Sequence, residues 1–507
     1  MPNVITLKAT DGTTVEYVDE IIGSGGMKDV YFSPDRSYVV AFFREPQNAT
    51  SRDRLETIVG RYRKQIFEES GGDFWNDLFC WPTKIVEAGG KLGIVAPTYK
   101  PEFFFRHGSK NDDFLGIKGK EKQGKWFASA HNRSKFLDPR ELGNWRSYLT
   151  TCIKICRAVH RMHASGLAHS DLSYRNVLVD PAGGNACIID IDGLVVPGKF
   201  PPDVIGTADF IAPEVIATST LARDDPNRKL PRIETDRHAL SVLIYMYLLY
   251  RHPLNGGKVH DADPARDEML SKGEKALFIE HPTDASNRPR IKNVRPSELP
   301  WADIASRPYR ITGPYLKELF DQAFIEGLHD PSRRPSANDW LHALVKTVDL
   351  IQPCRNPACE QKWYVFDNST RPACPFCGTP YHGLLPILNL YSTRGKGAFR
   401  PDNHRLMVYR DQYLYLWHAD RTVFPSERLT ADQKKPVGYF VIHQGRWAFV
   451  NQRLPSLKDV AENKEIPINS MVELVDGQQL LLSSGDGGRL VQVQMVGDAS
   501  PGGGVPA

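Results

Sequence analysis

His169-Ser170-Asp171-Leu172-Ser173-Tyr174-Arg175-Asn176, then Val177-Leu178-Val179, then Cys187-Ile188-Ile189-Asp190-Ile191-Asp192-Gly193: the reading of the whole chain turns on this stretch. The two apolar triplets predict short buried strands. A polar loop holding Asp171 and Asn176 precedes the first strand, and Asp190 opens the turn after the second. Upstream, Trp145 to His160 carries Leu149, Ile153, Cys156 and Val159 at helical spacing. Downstream come Gly206-Thr207-Ala208-Asp209-Phe210-Ile211-Ala212-Pro213-Glu214, then Asp236-Arg237-His238-Ala239-Leu240, then Asp330-Pro331-Ser332-Arg333-Arg334-Pro335-Ser336. A lone Asp or Asn in a loop is often no more than a turn cap. An ordered set of such segments is a different kind of signal.

Together these five segments resemble the eukaryotic-like protein kinases, whose catalytic loop H-R-D-L-x-x-x-N, metal-binding D-F-G and A-P-E occur in this order at similar separations. The resemblance covers about residues 16 to 350. It implies an α+β fold: a bilobal kinase domain over 1–352, with a strand-rich lobe (about 16–99), a basic insertion (about 100–143) and a helix-rich lobe (about 144–350). Phosphoryl transfer requires neutralised nucleotide charge and an oriented hydroxyl nucleophile. The resemblance therefore implies that Asp171 orients or deprotonates a protein hydroxyl, and that Asn176 and Asp190 hold Mg²⁺ against ATP phosphates. It also implies that Asp236 braces the catalytic loop and that Arg334 pairs with Glu214. His163 and His169 are expected to be structural.

Nucleotide contacts are expected from the glycine-rich hairpin, Gly23, Ser24, Gly25, Gly26, Lys28 and Val30, from Ala41 and Arg44 on the next strand, and from Ala96 and Thr98 in the hinge Val95–Tyr99. The strand that carries V-A-I-K in the family reads Val39-Val40-Ala41-Phe42-Phe43-Arg44, with no lysine. One register puts Phe43 at the lysine position and the other puts Arg44 there. Lys28 stands at the third glycine of G-x-G-x-x-G, the position from which the with-no-lysine kinases send a lysine to the phosphates. Lys28 is thus the expected phosphate cation, with Arg44 as the alternative and Glu56 as the expected carboxylate partner.

Other departures are also informative. Ser170 replaces an arginine that receives an activation-loop phosphate in many relatives, and no Ser, Thr or Tyr lies between Asp190 and Gly206. Switching by phosphorylation of that loop is not expected. Ser173 replaces the lysine usual in Ser/Thr kinases, while Arg175 matches D-L-A-A-R-N tyrosine kinases; one residue does not assign the acceptor, and Ser/Thr over Tyr is the expectation that the kinase resemblance as a whole implies. Asp192 stands where the family has glycine, which leaves open a metal ligand or merely an altered turn. Arg106 to Lys135 holds eight Lys/Arg against three Asp/Glu. It reads as a solvated loop, with docking of an acidic substrate as the alternative.

At 507 residues, 41% hydrophobic and 24% charged, the chain has the composition of a folded protein of about three domains, which excludes coiled coil, collagen and general disorder. A net charge of +4 argues for neither nucleic-acid nor membrane binding. No apolar run reaches a membrane span and Met1-Pro2-Asn3-Val4 gives no secretory signal, so a cytoplasmic location is expected. Cys80, Cys152, Cys156 and Cys187 read as packed thiols. Cys354, Cys359, Cys374 and Cys377 form C-x4-C and C-x2-C pairs fourteen residues apart. They resemble a zinc ribbon (353–383) with a closed four-thiolate Zn²⁺ site, structural in role. Residues 384–496 read as an all-β sandwich and 497–507 as a disordered tail. Gly445 to Asn451 and Ile466 to Ser483 resemble the second half of a forkhead-associated domain, without its ordered Gly-Arg, Ser and His set; a module for recruiting partners is expected.

This architecture resembles the kinase of bacterial kinase, phosphatase and von Willebrand factor A triads associated with tellurite resistance. The resemblance implies a protein substrate, a cognate phosphatase and a von Willebrand factor A protein as partners. The rival reading is a nucleotide-binding pseudokinase scaffold.

Overall fold

The computed structural model describes residues 3–24, 27–68, 72–196, 199–200, 206–222, 224–366, 372–394 and 398–498. Gly25, Gly26, residues 197–198 and 201–205 before Gly206, and residues 499–507 of the tail lie outside the described residues. The chain divides into two compact units, one of Met1–Gly143, Ser147–Tyr309 and Glu318–Leu341, the other of Asn144–Arg146, Arg310–Lys317 and His342–Ala507.

In the first unit, β1 (Val4–Lys8) and β2 (Thr14–Val18) form a hairpin. Next, β3 (Gly23–Ser24), β4 (Lys28–Phe32), β5 (Tyr38–Phe43), β6 (Lys84–Ala88) and β7 (Lys91–Pro97) form an antiparallel sheet in the order β3-β4-β5-β7-β6. Successive side chains leave a strand on opposite faces. Val40 and Phe42 accordingly join Val15, Tyr17, Val86 and Val95 on one face, while Ala41 and Phe43 join Ile85, Leu92 and Ile94 on the other. Leu55 of α1 (Ala49–Thr57) packs with this second group. Asn48 caps α1 by accepting from the Ser51 amide, and the helix runs on through a π-helical turn to Phe67.

Helices dominate the rest of this unit. The segment Ile233–Leu249 is apolar nearly all round and buried from His238 to Leu249, as a helix must be when it is surrounded by others. Two short strands, β8 (Val177–Asp180) and β9 (Asn185–Ile188), pair antiparallel and carry the decisive motifs on their flanks.

The basic insertion is not a solvated loop. Phe103, Phe105, Ile117, Phe127, Ala128 and Leu137 are buried, and so are two of the eight cations, Lys122 and Arg133. Lys122 Nζ lies 3.0 Å from Glu141 and 3.1 Å from Asp180, so it ties the insertion to the end of β8. A buried cation is tolerated because two carboxylates meet it.

The second unit opens with a hairpin of β10 (Ile351–Pro353) and β11 (Trp363–Val365). Then β12 (Gly383–Thr393), β13 (Phe399–Met407), β17 (Lys458–Asp459), β18 (Lys464–Glu465), β20 (Gln479–Leu481) and β21 (Arg489–Asp498) make a six-stranded sheet. A four-stranded sheet holds β14 (Tyr413–Tyr415), β15 (Pro436–His443), β16 (Arg446–Asn451) and β19 (Met471–Glu473). Leu385, Ile387 and Val491 of the first sheet share a core with Phe440, Trp447 and Phe449 of the second, as in a sandwich. Among the described residues, no helix is long and apolar enough to cross a membrane.

Candidate functional site

Lys28, Val30 and Phe32 alternate along β4, and Val39, Ala41 and Phe43 along β5; all six line one cleft of about 820 Å³. The register opposes Lys28 to Phe43 and Val30 to Ala41. Gly23, Ala96, Thr98, Asn176, Asp190 and Asp192 line the same cleft. Arg44, one residue past Phe43, is not among the lining residues. Its Nε lies 2.9 Å from Asp29 Oδ1, a residue likewise out of phase with Lys28. Of the two sequence registers, the structure therefore puts Phe43 on the cleft face, beside Lys28.

Lys28 Nζ lies 2.6 Å from Asp192 Oδ2 and 3.4 Å from Asp190 Oδ1, with the Phe43 ring centroid at 5.2 Å. Burial disfavours the ammonium, but Asp192 and Asp190 outweigh it and hold the lysine above its ordinary pKa. Glu56 is not the partner. It is exposed and forms no ion pair with Lys28, because α1 turns Ser51, Arg54 and Leu55 toward the cleft.

Asp171 sits just outside that lining, in a recess shared with Gly206 and Thr207. Its Oδ1 accepts from the Thr207 amide (2.7 Å) and hydroxyl (2.8 Å), and its Oδ2 from Asn176 Nδ2 (2.9 Å). Asn176 Nδ2 also donates to the Asp171 carbonyl (2.8 Å), so the two residues fix each other. Thr207 Oγ1 is 3.3 Å from Ser173 Oγ, which connects the residue at the usual lysine position to the same carboxylate. Thr207 had no role in the sequence reading; its place directly after Gly206 is the only signal.

The loop's shape has identifiable braces. Ser170 and Asp190 both adopt left-handed backbone, at φ 68° and 62°, a cost accepted where surrounding contacts over-determine it. Asp236, buried, accepts from the His169 amide (2.6 Å), the Ser170 amide (3.1 Å) and His163 Nε2 (3.1 Å). His169 Nε2 donates to the Ile189 carbonyl at 3.0 Å. Both histidines thus hold backbone and carboxylate in place, clear of the cleft lining. Arg334, 3% exposed, grips Glu214 with two parallel bonds of 2.9 and 2.7 Å and also donates to the carbonyls of Gly327, Leu328 and Glu234.

In the second unit, the thiol sulfurs of Cys354, Cys359, Cys374 and Cys377 all lie within 4.8 Å of one another, with 3.5 Å between Cys354 and Cys377 and 3.9 Å between Cys359 and Cys374. Four sulfurs at Zn–S bonds of about 2.3 Å stand roughly 3.8 Å apart in a tetrahedron, so the spacing of the cluster is compatible with that ion. The other four cysteines are free; burial raises all four, Cys80 to about 12, as in packed thiols.

Residues 123–344 match the family described as the protein kinase domain. The chain carries a protein kinase domain. The match takes in Asp171, Asn176, Asp190, Glu214, Asp236 and Arg334; the glycine-rich hairpin with Lys28 precedes it. Serine/threonine-protein kinase dkf-1 of Caenorhabditis elegans is 30% identical over 126 residues, 24% of this chain and 16% of that protein. NUAK family SNF1-like kinase 2 of Rattus norvegicus is 26% identical over 226 residues, 42% of this chain and 33% of that protein. The chain thus spans a third or less of the length of these curated relatives.

Proposed function

We propose that this protein is an ATP- and Mg²⁺-dependent protein kinase that phosphorylates serine or threonine hydroxyls. The observation that carries the reading is the Asp171, Asn176 and Thr207 cluster beside a cleft lined by Lys28, Asn176 and Asp190. Bound Mg-ATP supplies the γ-phosphoryl group and the cation that neutralises its charge. Asp171, its carboxylate fixed by three donors, would accept the proton of a protein hydroxyl as that oxygen bonds to the γ-phosphorus and the bond from phosphorus to the ADP oxygen breaks, ADP leaving with Mg²⁺. Asn176 and Asp190 are the metal-holding pair, Asp190 having a half-exposed carboxylate on the cleft. Lys28 is the phosphate cation; Ala41, Val30 and Ala96 give the apolar walls against which an adenine packs, and Thr98 marks the hinge. The names of the relatives, both serine/threonine or SNF1-like kinases, favour the Ser/Thr acceptor.

The four cysteines hold one structural Zn²⁺, and the sandwich of the second unit recruits partners, with a cognate phosphatase and a von Willebrand factor A protein as the candidates in a cytoplasmic bacterial signalling system. Mass spectrometry after incubation with Mg-ATP and a mixed peptide library tests the central reading. Phosphoserine or phosphothreonine products are expected. Nucleotide-induced thermal stabilisation with no phosphorylated product would replace it with the scaffold reading, which the engagement of Lys28 by two carboxylates motivates.

A further inference from the structure

We infer that Asp192 is the positioning residue for Lys28, so that the carboxylate partner of the phosphate cation comes from the metal-binding turn and not from a helix. The inference rests on the reading of Lys28 as the phosphate cation. A lysine whose side chain is only 18% exposed needs a fixed counter-charge to stay in one place. The helix that could offer one does not. Its acids Asp53 and Glu56 are exposed, and the residues it turns to the cleft include a cation, Arg54.

Two aspartates on one turn divide the work instead. Asp192 is 8% exposed and binds Lys28 Nζ at 2.6 Å; Asp190 is 51% exposed, lies at 3.4 Å and keeps its carboxylate open to the cleft. Asp190 takes left-handed backbone as the cap of the 3-10 turn Ile191–Gly193, and that turn brings the second carboxylate back beneath the lysine. An Asp at this position thus has a geometric use that glycine could not serve. The consequence is regulatory: Lys28 and Asp190 are set by one turn, so ordering the segment 190–193 assembles cation and metal ligand together, and displacement of α1 does not break the pair.

The test uses the full chain with Asp192→Asn, Asp192→Glu, Glu56→Gln and Lys28→Met. One readout is kinetic, the KM for ATP and kcat at saturating Mg²⁺. The other needs no turnover: the rate at which Lys28 is acylated by an amine-reactive ester in nucleotide-free protein, read by mass spectrometry. Loss of the carboxylate frees the amine from its 2.6 Å ion pair, so it reaches the open cleft more often and labelling accelerates. Asp192→Asn is expected to lower kcat/KM by roughly tenfold or more, chiefly through KM, and to speed Lys28 labelling in protein that remains folded at the assay temperature. Asp192→Glu should recover part of both, and Glu56→Gln should match the wild type. Wild-type kinetics and labelling in Asp192→Asn would overturn the inference. So would a change confined to the Mg²⁺ concentration giving half-maximal rate, which would make Asp192 a metal ligand. Full activity in Lys28→Met would instead overturn the underlying reading of Lys28.

Discussion

Lys28 and Phe43 oppose each other across β4 and β5 on the same face of the sheet, the ammonium 5.2 Å from the ring centroid. The cation proposed for the phosphates thus comes from the neighbouring strand, over the ring of Phe43. A four-carbon stem spans the gap between adjacent strands. Lys28→Met is expected to reduce kcat/KM by about 10² to 10³-fold without loss of fold. Arg44→Met removes a partly exposed pair with Asp29, away from the cleft lining, and should cost less than about threefold. Steady-state kinetics on the two variants check this, and the reverse ranking would assign the role to Arg44.

Arg334 and Glu214 form a buried two-pronged pair that joins the segment after Gly206 to the late arginine motif. Removing the arginine leaves Glu214 uncompensated and several carbonyls without donors. Arg334→Met should destabilise the kinase domain by about 3 to 5 kcal/mol in urea unfolding. Arg334→Lys should recover little, because an ammonium cannot reproduce the fork.

His238 is buried with no hydrogen-bond partner on Nδ1, and burial pushes its pKa well below the ordinary histidine value. The unfolded chain takes up a proton near pH 6.5 that the native state refuses. Stability is therefore lost as pH falls below about 6.5, by up to roughly 1.4 kcal/mol per pH unit for each such group. His252, also shifted down, adds to the slope. Unfolding free energies at pH 7.5 and 5.5 should differ accordingly, and His238→Asn should flatten the difference by about 1 kcal/mol.

The four clustered thiols predict one Zn²⁺ per chain. Chelation or Cys374→Ser should release the metal and loosen the segment around Cys354–Cys377 before the kinase domain unfolds, because a closed thiolate site contributes its binding energy to local folding. Metal analysis of purified protein, with hydrogen exchange of that segment, checks both parts; metal-free protein with unchanged exchange would contradict them.

The contacts of the loop are legible in the sequence, because Asp171, Asn176, Asp190, Glu214, Asp236 and Arg334 each stand in a recognisable string, and the structure joins Asp171 to Asn176, Asp236 to the loop backbone and Arg334 to Glu214. Facing direction decided what was less legible. Strand alternation separates Phe43 from Arg44, and neither register could be chosen from composition alone. Glu56 lies away from the cleft because helix position, not helix membership, determines which side chain reaches it. The insertion looked solvated because its charge was counted without its partners; Glu141 and Asp180, outside the counted run, are what allow Lys122 to be buried. Asp192, which the sequence leaves open between a metal ligand and an altered turn, meets Lys28 at 2.6 Å, a contact that no string of residues announces.

The most direct measurement is transfer of labelled γ-phosphate from Mg-ATP to protein by the wild-type chain and by Asp171→Ala, with nucleotide binding followed in parallel. The account predicts incorporation by the wild type, a fall of about 10² to 10⁴-fold in the variant, and nucleotide binding retained in both. Equal incorporation by the two proteins would contradict it.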